Sequence, residues 1–331
     1  MINFSYIWNR YKIQFAIFFI FISFWLVFLI LNPSAFLNLN TYTAIASYLP
    51  FSVIPALSLT YIMICGEIDL SFPSVMALAS FVLAVTWKSM GGAHIIGVIL
   101  ALLAGLIAGL LNGVLVTKAK IPSMIATLAT MFFWRGVVLV SSQGFGIPLG
   151  EFKGTVTYDF FVGRVFSFIP AQAIWMLIFT TLLWLILNRH IFGAHVYFTG
   201  DNRIAAEYMG INTRKILITV FALHGVISAF AGMLATLEMA TFWPALGEAY
   251  LMKSIAIVVI GGTSIFGGSG TIIGTLIGGL TLGLIEMGLL AVGVAGFWIN
   301  LVYGTIIIIA LILQTVIRET EMKKALKEKI G

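Results

Sequence analysis

Five polar side chains stand in or beside apolar stretches of this sequence and could bind a polar solute. They are Glu67, Asp69, Arg135, Glu286 and Asn300. A carboxylate accepts hydrogen bonds from hydroxyl groups, and a guanidinium donates several. Because charged groups are costly in lipid, each must face protein, water or the membrane rim. These residues are therefore candidates to line or gate a pathway for a hydroxylated compound.

Structural roles are the alternative for several of these residues. Asp69, or Ser71 two positions later, could instead cap the helix that follows. Glu286 could pair with Arg135 or Asn300 inside the protein. The sequence leaves both possibilities open.

Catalytic chemistry is not indicated anywhere in the chain. The glycine-rich run GGTSIFGGSG at 261–270 has no following lysine, which a phosphate-binding P-loop requires. The HExxH zinc motif is missing, and the single cysteine, Cys65, lies far in sequence from every histidine. We expect neither an enzyme nor a resident metal or cofactor.

Composition places the chain in a membrane. It has 331 residues, of which 61% are apolar and 9% charged. Since a spanning helix needs about 20 apolar residues, we predict an all-α integral membrane protein with about ten transmembrane helices and no separate soluble domain. The apolar windows lie at about 13–31, 42–64, 71–88, 95–117, 122–141, 170–188, 215–240, 251–264, 271–292 and 297–317. Pro50 and Pro55 predict that the second span is bent or split.

The basic residues predict the orientation. With the N-terminus inside, ten spans bring the C-terminus back inside, and most of the 18 Lys and Arg residues then fall in inside segments. Both termini are therefore expected in the cytoplasm. The net charge of +6 does not indicate nucleic acid, because the basic residues gather at membrane ends.

Glycines recur at four-residue spacing in two places, which lets helix backbones approach closely. The first set belongs to the fourth span and the second to the ninth: Gly105, Gly109, Gly113, Gly270, Gly274 and Gly278. We predict tight helix packing at both.

The segment 189–215 separates two apolar halves and is too polar to span a membrane. Asp201 or Asn202 is a suitable N-cap for a helix at 204–209, and Gly210 is typical of a helix end. Ala205 and Ala206 would leave a smooth surface that a partner could approach. A merely solvated loop is the alternative.

Four stretches together resemble one family. They are GEIDLS at 66–71, NGVLVTKAKIPSMIATLATMFFWRG at 112–136, GDNRIAAEYMGI at 200–211 and SIAIVVIGGTSIFGGSGTIIGTLIGG at 254–279. Their order is similar to that in permeases of ATP-binding-cassette importers for ribose, xylose, galactose and related monosaccharides. The chain departs from that pattern at Pro73, at Lys253 and around Glu286.

The resemblance implies a single transmembrane permease domain over 1–331, with 189–215 as its cytoplasmic coupling loop. In the family that loop seats a short helix in a groove of a separate ATPase subunit, which holds ATP and magnesium. The corresponding residues here are Gly200, Asp201, Asn202, Ala205, Ala206, Glu207 and Gly210.

The resemblance also implies three further partners: an extracytoplasmic solute-binding protein, a second permease copy or paralogue, and membrane lipid. The binding protein would dock on the long outer segment 142–168, helped by 241–253. Its candidate contacts are Glu151, Lys153, Asp159, Arg164 and Glu248. An ordinary soluble surface would show similar alternating charges.

The expected function is import of a monosaccharide or polyol across the plasma membrane of a prokaryote, the inner membrane where there are two. Import of a nucleoside, a branched-chain amino acid or a furanose-like signalling compound is the alternative within the superfamily. An ion-coupled carrier is the alternative from another class. The sequence leaves the solute open.

Overall fold

The computed structural model describes the backbone of residues 4–330 and the side chains of residues 14–309, 311–312 and 314–316. Its helices, in chain order, are α1 Phe4–Leu31, α2 Pro33–Phe36, α3 Leu39–Tyr48, α4 Pro50–Ile64, α5 Phe72–Met90, α6 Ile95–Thr117, α7 Ser123–Ser142, α8 Val156–Val162, α9 Ala171–Arg189, α10 Ile191–Asp201, α11 Arg203–Tyr208, α12 Thr213–Glu238, α13 Tyr250–Ile260, α14 Ile272–Ala291 and α15 Trp298–Ile330. The strands are β1 Ile147–Pro148, β2 Arg164–Val165, β3 Ile169–Pro170 and β4 Thr241–Phe242.

Helices dominate the fold, as the composition predicts. Among the described residues, eight helices are long and apolar enough to cross a membrane, or nine if the bent pair α3 and α4 is one span. The prediction of about ten is therefore not confirmed. The eighth predicted span, 251–264, forms α13 instead, which has 11 residues. At 1.5 Å per residue α13 is about 16 Å long, against a hydrocarbon core of about 30 Å.

Pro50 produces the predicted break in the second span. α3 and α4 meet at an angle of 51°, and Pro50 occupies the first position of α4, where its missing N–H is tolerated. Pro55, by contrast, lies inside α4. Every residue of α4 is buried, so this helix forms the centre of the core.

Glycines bring α6 and α12 into backbone contact. A Cβ atom added to Gly109 would lie 2.3 Å from the carbonyl oxygen of Phe221, and one on Gly105 would lie 2.5 Å from that of Gly225. At Gly113 the distance to the Cα of Ile218 would be 2.8 Å. A side chain at any of the three would separate the helices.

The second glycine set places α14 against the end of α13. Added Cβ atoms at Gly274 and Gly278 would lie 2.2 Å from the carbonyl oxygen of Gly261 and 2.5 Å from that of Ile257. Gly270 precedes α14 and lies beside Thr263. It therefore belongs to the connection between the helices.

The two ends of the bundle differ in structure. We call the end with α10 and α11 the coupling face, and the end with residues 143–170 and 241–249 the loop face. At the loop face β1 pairs antiparallel with β4, and β2 pairs antiparallel with β3. The predicted cytoplasmic position of both termini stays a prediction, because the basic side chains at 10, 12 and 318–329 lie outside the described residues.

Candidate coupling segment and solute pathway

The short helix predicted in the segment 189–215 is α11. The Asn202 side chain accepts a hydrogen bond from the backbone N–H of Ala205 at 3.0 Å, so Asn202 is the N-cap. Asp201 is instead the last residue of α10, a helix that the sequence reasoning missed. Gly210 follows α11 with φ +83°, a conformation that glycine adopts without strain.

The surface of α11 is more apolar than its two alanines predict. The exposed fractions are 69% for Ile204, 89% for Tyr208 and 60% for Met209. Ala205 is exposed. Ala206 is 0% exposed and is buried within this chain. The prediction that Ala206 lies on a surface facing a partner is therefore wrong. The spacing of the apolar residues 204, 208 and 209, at and just after this short helix, could have indicated an apolar surface, but the sequence analysis did not use it.

Glu207 holds the end of α11 to the start of α12. Its Oε1 accepts a hydrogen bond from the Thr213 hydroxyl at 2.6 Å. Since α11 has only six residues, this tie and the Asn202 cap fix it at both ends.

Glycines join the coupling segment to two breaks in the membrane helices. A Cβ atom on Gly200 would lie 1.6 Å from the carbonyl oxygen of Ile64 and 2.9 Å from the nitrogen of Gly268. The Gly268 N–H donates to that same Ile64 oxygen at 2.8 Å, and a Cβ on Gly267 would lie 3.1 Å from the Cα of Gly66. We call this contact of residues 64–66, 200 and 267–268 the glycine junction.

Glu67 pairs with the coupling segment. Arg203 Nη2 donates to Glu67 Oε1 at 2.6 Å, and their side chains are 43% and 12% exposed, respectively. Together they border a 290 Å³ cleft at the coupling face that Lys120, Glu207 and Arg214 also line. The predicted pathway residue Glu67 therefore lies where α11 meets the first helix break.

The Asp69 carboxylate is hydrogen-bonded within the protein, but the side chain of Ser71, the N-cap of α5, makes no capping hydrogen bond. Its Oδ1 accepts hydrogen bonds from the backbone N–H and the hydroxyl of Ser71, both at 2.6 Å. Asn112 Nδ2 donates to the Ser71 hydroxyl oxygen at 2.7 Å, and Thr130 donates to Asn112 Oδ1 at 2.6 Å. Because Asp69 is 2% exposed, its carboxylate serves a buried polar network at the start of α5.

Two backbone N–H groups of the non-helical segment 66–71 find their hydrogen-bond partners on α7. The N–H of Ile68 donates to the Ser123 hydroxyl, and that of Leu70 to the Thr127 hydroxyl, each at 3.1 Å. Non-helical backbone at membrane depth requires such partners. The sequence reasoning missed both hydroxyls, although their i,i+4 spacing places them on one face of a helix.

Arg135 and Glu248, which were predicted to have separate roles, lie together. The guanidinium donates to the carbonyl oxygens of Pro244 and Leu246, and its Nε lies 3.7 Å from Glu248 Oε1. Both side chains border a 210 Å³ cavity between α5, α7 and the segment 241–249, which we call the α5–α7 cavity. Its other lining residues are Pro73, Ser74, Met131, Phe132 and Leu251.

Glu286 pairs with Lys253 rather than with Arg135 or Asn300. The Lys253 ammonium donates to Glu286 Oε2 and lies 4.9 Å from the ring centroid of Tyr48. The two side chains are only 7% and 20% exposed. Asn300 is exposed near the start of α15. Glu286 therefore has an ion-pair partner that is neither of the two considered from the sequence.

The candidate docking residues are all exposed at or near the loop face. Glu151 pairs with Lys88 at 2.9 Å, and Arg164 donates to the Ser47 hydroxyl at 2.9 Å. Lys153 and Asp159 lie on the same connection, and the β1–β4 pairing joins it to the segment 241–249. Binding-protein docking stays a prediction for these residues.

Cys65 is buried beside the glycine junction. Burial, with a smaller contribution from the Glu67 carboxylate, raises the pKa of its thiol to about 12. The thiol is therefore protonated at neutral pH. In the described part of the chain, no three His, Cys, Asp or Glu side chains are grouped so that they could hold a metal ion.

Comparison with known proteins places this chain in a family. Residues 41–311 match the family model described as branched-chain amino acid transport system / permease component. The chain is 38% identical to the ribose import permease protein of Bacillus subtilis over 284 residues, which are 86% of this chain and 87% of that protein. It is 32% identical to the ribose import permease protein of Escherichia coli K12, over 85% of this chain and 87% of that one.

A further relative carries a different solute in its name. The autoinducer 2 import system permease protein of Yersinia pseudotuberculosis is 31% identical, over 82% of this chain and 76% of that protein. No solved structure matches the chain significantly. The apolar helices and these relatives show a multi-pass protein of the bacterial plasma membrane. The chain belongs to the family of branched-chain amino acid transport system permease components, within its sugar-importer branch.

Proposed function

We propose that this chain is the permease subunit of an ATP-driven importer that carries a monosaccharide, with a pentose as the first candidate, into the cytoplasm. Relatives named as ribose import permeases over most of both chains support the solute class. The observation that carries the coupling role is α11, where Ile204, Tyr208 and the following residue Met209 are exposed at a polar end of the bundle. Exposed apolar patches mark binding sites for partners.

The partner at α11 is a cytoplasmic ATPase subunit, which holds the ATP and magnesium. In this orientation the coupling face lies in the cytoplasm, in agreement with the excess of basic residues in cytoplasmic segments. Described residues at this face include Lys118, Lys120, Arg189, Arg203 and Arg214. The loop face then lies outside, where it receives the solute from a binding protein, and a second copy or paralogue of the permease completes the transporter.

Transport proceeds by alternating access. Closure of the ATPase subunits on ATP displaces α11, and the glycine junction carries that displacement to the breaks after α4 and after α13. A ligand shifts a conformational equilibrium only through its different free energy in the two states. The permease therefore needs only modest affinity for the solute, because the binding protein supplies the selectivity.

Reconstitution tests this function. Proteoliposomes containing the permease and its ATPase, with the binding protein added outside, should take up radiolabelled ribose only when ATP is supplied inside. Uptake by the permease alone down an ion gradient would refute the proposal and favour an ion-coupled carrier.

A matched pair of variants tests the coupling role. Ala205→Arg puts a bulky charge on the exposed side of α11 and should reduce both ATPase binding and uptake at least tenfold. Ala119→Arg makes the same change at an exposed position of the same face, in the α6–α7 connection, and should leave both near wild type. Equal behaviour of the two variants would remove α11 from the coupling role. Ala206→Arg is less informative, because Ala206 is buried.

A furanose-like signalling compound is the second candidate solute, because relatives named as autoinducer 2 import permeases match at 31% identity. Identifying the ligand of the binding protein encoded beside this permease decides between the two.

A further inference from the structure

The α5–α7 cavity lies where the non-helical segment 241–249 meets the first turn of α5. α5 begins after the non-helical segment 66–71, and the segment 241–249 approaches α5 from the loop face. A Cβ atom on Gly247 would lie 2.2 Å from the carbonyl oxygen of Pro73, so the two backbones are in contact. Breaks of this kind in membrane helices are found beside cavities that hold polar solutes.

Ser74 is one of the residues that border this cavity, and its hydroxyl is buried. The residue is 0% exposed, and within the described part of the chain its Oγ has no hydrogen-bond partner. A buried polar group without a partner costs about 1–3 kcal/mol. Ser80 on the same helix shares both properties but does not line the cavity. What distinguishes Ser74 is its place in the cavity wall, where a solute can bond its hydroxyl when the cavity widens during transport.

Glu248 offers an acceptor on the same cavity. Its side chain is 64% exposed, while that of Arg135 is 13% exposed. The Arg135 guanidinium already donates to Pro244 and Leu246, which leaves it little capacity for a ligand carboxylate. Hydroxyl groups, which can donate to Glu248 and bond with Ser74, fit this arrangement better than the paired charges of an amino acid.

The remaining wall is apolar. Met131, Phe132 and Leu251 line it, and Phe132 is 67% exposed. The 210 Å³ volume corresponds to about seven water molecules at about 30 Å³ each. A sugar ring presents hydroxyls at its rim and C–H groups on its faces, so a single small ring matches both the size and the two kinds of wall.

We propose that the α5–α7 cavity is the site where the permease holds its solute during passage, and that the ligand is a neutral polyhydroxylated compound of about pentose size. This inference rests on the proposed function, which it deepens by naming the contact residues Ser74 and Glu248. Arg135 is a positioning residue, because it fixes the segment that carries Glu248.

The decisive variant is Ser74→Ala, with Ser80→Ala as its control. Because the Ser74 hydroxyl has no partner among the described residues, its removal should leave stability unchanged or improved. Ser74 is fully buried, so it cannot contact a docked binding protein. Loss of one solute hydrogen bond should lower ATP-dependent ribose uptake about two- to tenfold, measured per ATP hydrolysed, while Ser80→Ala transports as wild type.

Glu248→Gln provides the second measurement. It should lower ribose uptake about tenfold while the affinity of the binding protein for the complex stays unchanged. A parallel loss of that affinity would return Glu248 to the docking surface. Uptake of leucine in place of ribose by the wild-type complex would assign the cavity to an amino acid and overturn the inference.

The outcomes separate this inference from the proposed function. Suppose that the wild-type complex imports ribose and that Ser74→Ala and Ser80→Ala take up ribose at the same rate, whether both are active or both impaired. The cavity assignment is then refuted, and the proposed function stands. If the wild-type complex imports no sugar, the proposed function fails and the sugar assignment fails with it.

Discussion

Breaking the buried ion pair between Lys253 and Glu286 is expected to destabilise the protein, and neutralising both partners should restore most of the loss. The side chains are 7% and 20% exposed, so either one left alone is a charge held away from water. Removing one partner of such a pair costs about 3–5 kcal/mol, whereas replacing both is often nearly neutral. Because Glu286 keeps some exposure, we expect the lower end, about 3 kcal/mol for Lys253→Met or Glu286→Gln.

The chain supplies its own probe for this measurement. Its single cysteine, Cys65, is 2% exposed, so a thiol-reactive fluorescent dye reports the unfolding of the purified protein in detergent. For a chain of this size 1 kcal/mol corresponds to about 2 °C. Each single variant should therefore melt about 6 °C below the wild type, and Lys253→Met/Glu286→Gln should melt above both.

Two results would refute this reasoning. One is that the single variants melt at the temperature of the wild type, which would mean that the pair is not desolvated in the purified protein. The other is that the losses of the single variants add in the double variant, since an interacting pair must be non-additive. Ribose uptake measured on the stable double variant then shows whether Glu286 has any role beyond this pair.

Three further predictions concern the coupling face and the core. Glu67→Arg and Arg203→Glu each place like charges together and should reduce ATP-dependent uptake, and the swapped double variant should recover it; a double variant no better than the singles would exclude a functional contact. Gly109→Ala should lower the melting temperature, because its Cβ would lie 2.3 Å from a backbone oxygen of α12, whereas Gly136→Ala, with no neighbour within 4 Å among the described residues, should raise stability by about 1 kcal/mol. Native Cys65 should resist alkylation as pH rises from 7 to 10, because burial raises its thiol pKa to about 12, while the denatured protein reacts faster with pH; equal native and denatured rates would show that the thiol is accessible.

Hydropathy predicted most of the helices, but it could not predict whether an apolar segment crosses the membrane completely or ends inside the protein. The window at 95–117 matches α6, and that at 122–141 differs from α7 by one residue at each end. The window at 251–264 counted Gly261 and the residues after it as part of a span, yet α13 ends at Ile260. An apolar segment buried in protein and one facing lipid have the same composition, so their lengths must come from the fold.

In the coupling segment, the residue types predicted those features that depend only on neighbouring residues. The cap at Asn202 and the turn at Gly210 depend on neighbouring residues; Asn202 was one of the two candidate caps, and Gly210 was predicted as the helix end. The burial of Ala206 depends on how α11 sits against the rest of the chain, which an alanine pair does not encode. The same limit explains why Lys253 was not recognised as the partner of Glu286, which is 33 residues away.

The glycine junction places backbone directly against backbone at the point where α10, the end of α4 and the loop before α14 meet. Long side chains at such a point would change rotamer and absorb small shifts of a helix. Here the Gly200 Cα approaches the Ile64 carbonyl so closely that an added Cβ would lie 1.6 Å from it, and there is no rotamer to yield. Under the proposed mechanism, a displacement of α10 therefore reaches the end of α4 and the loop before α14 at the same point, and a single methyl group at residue 200 would force these backbones apart.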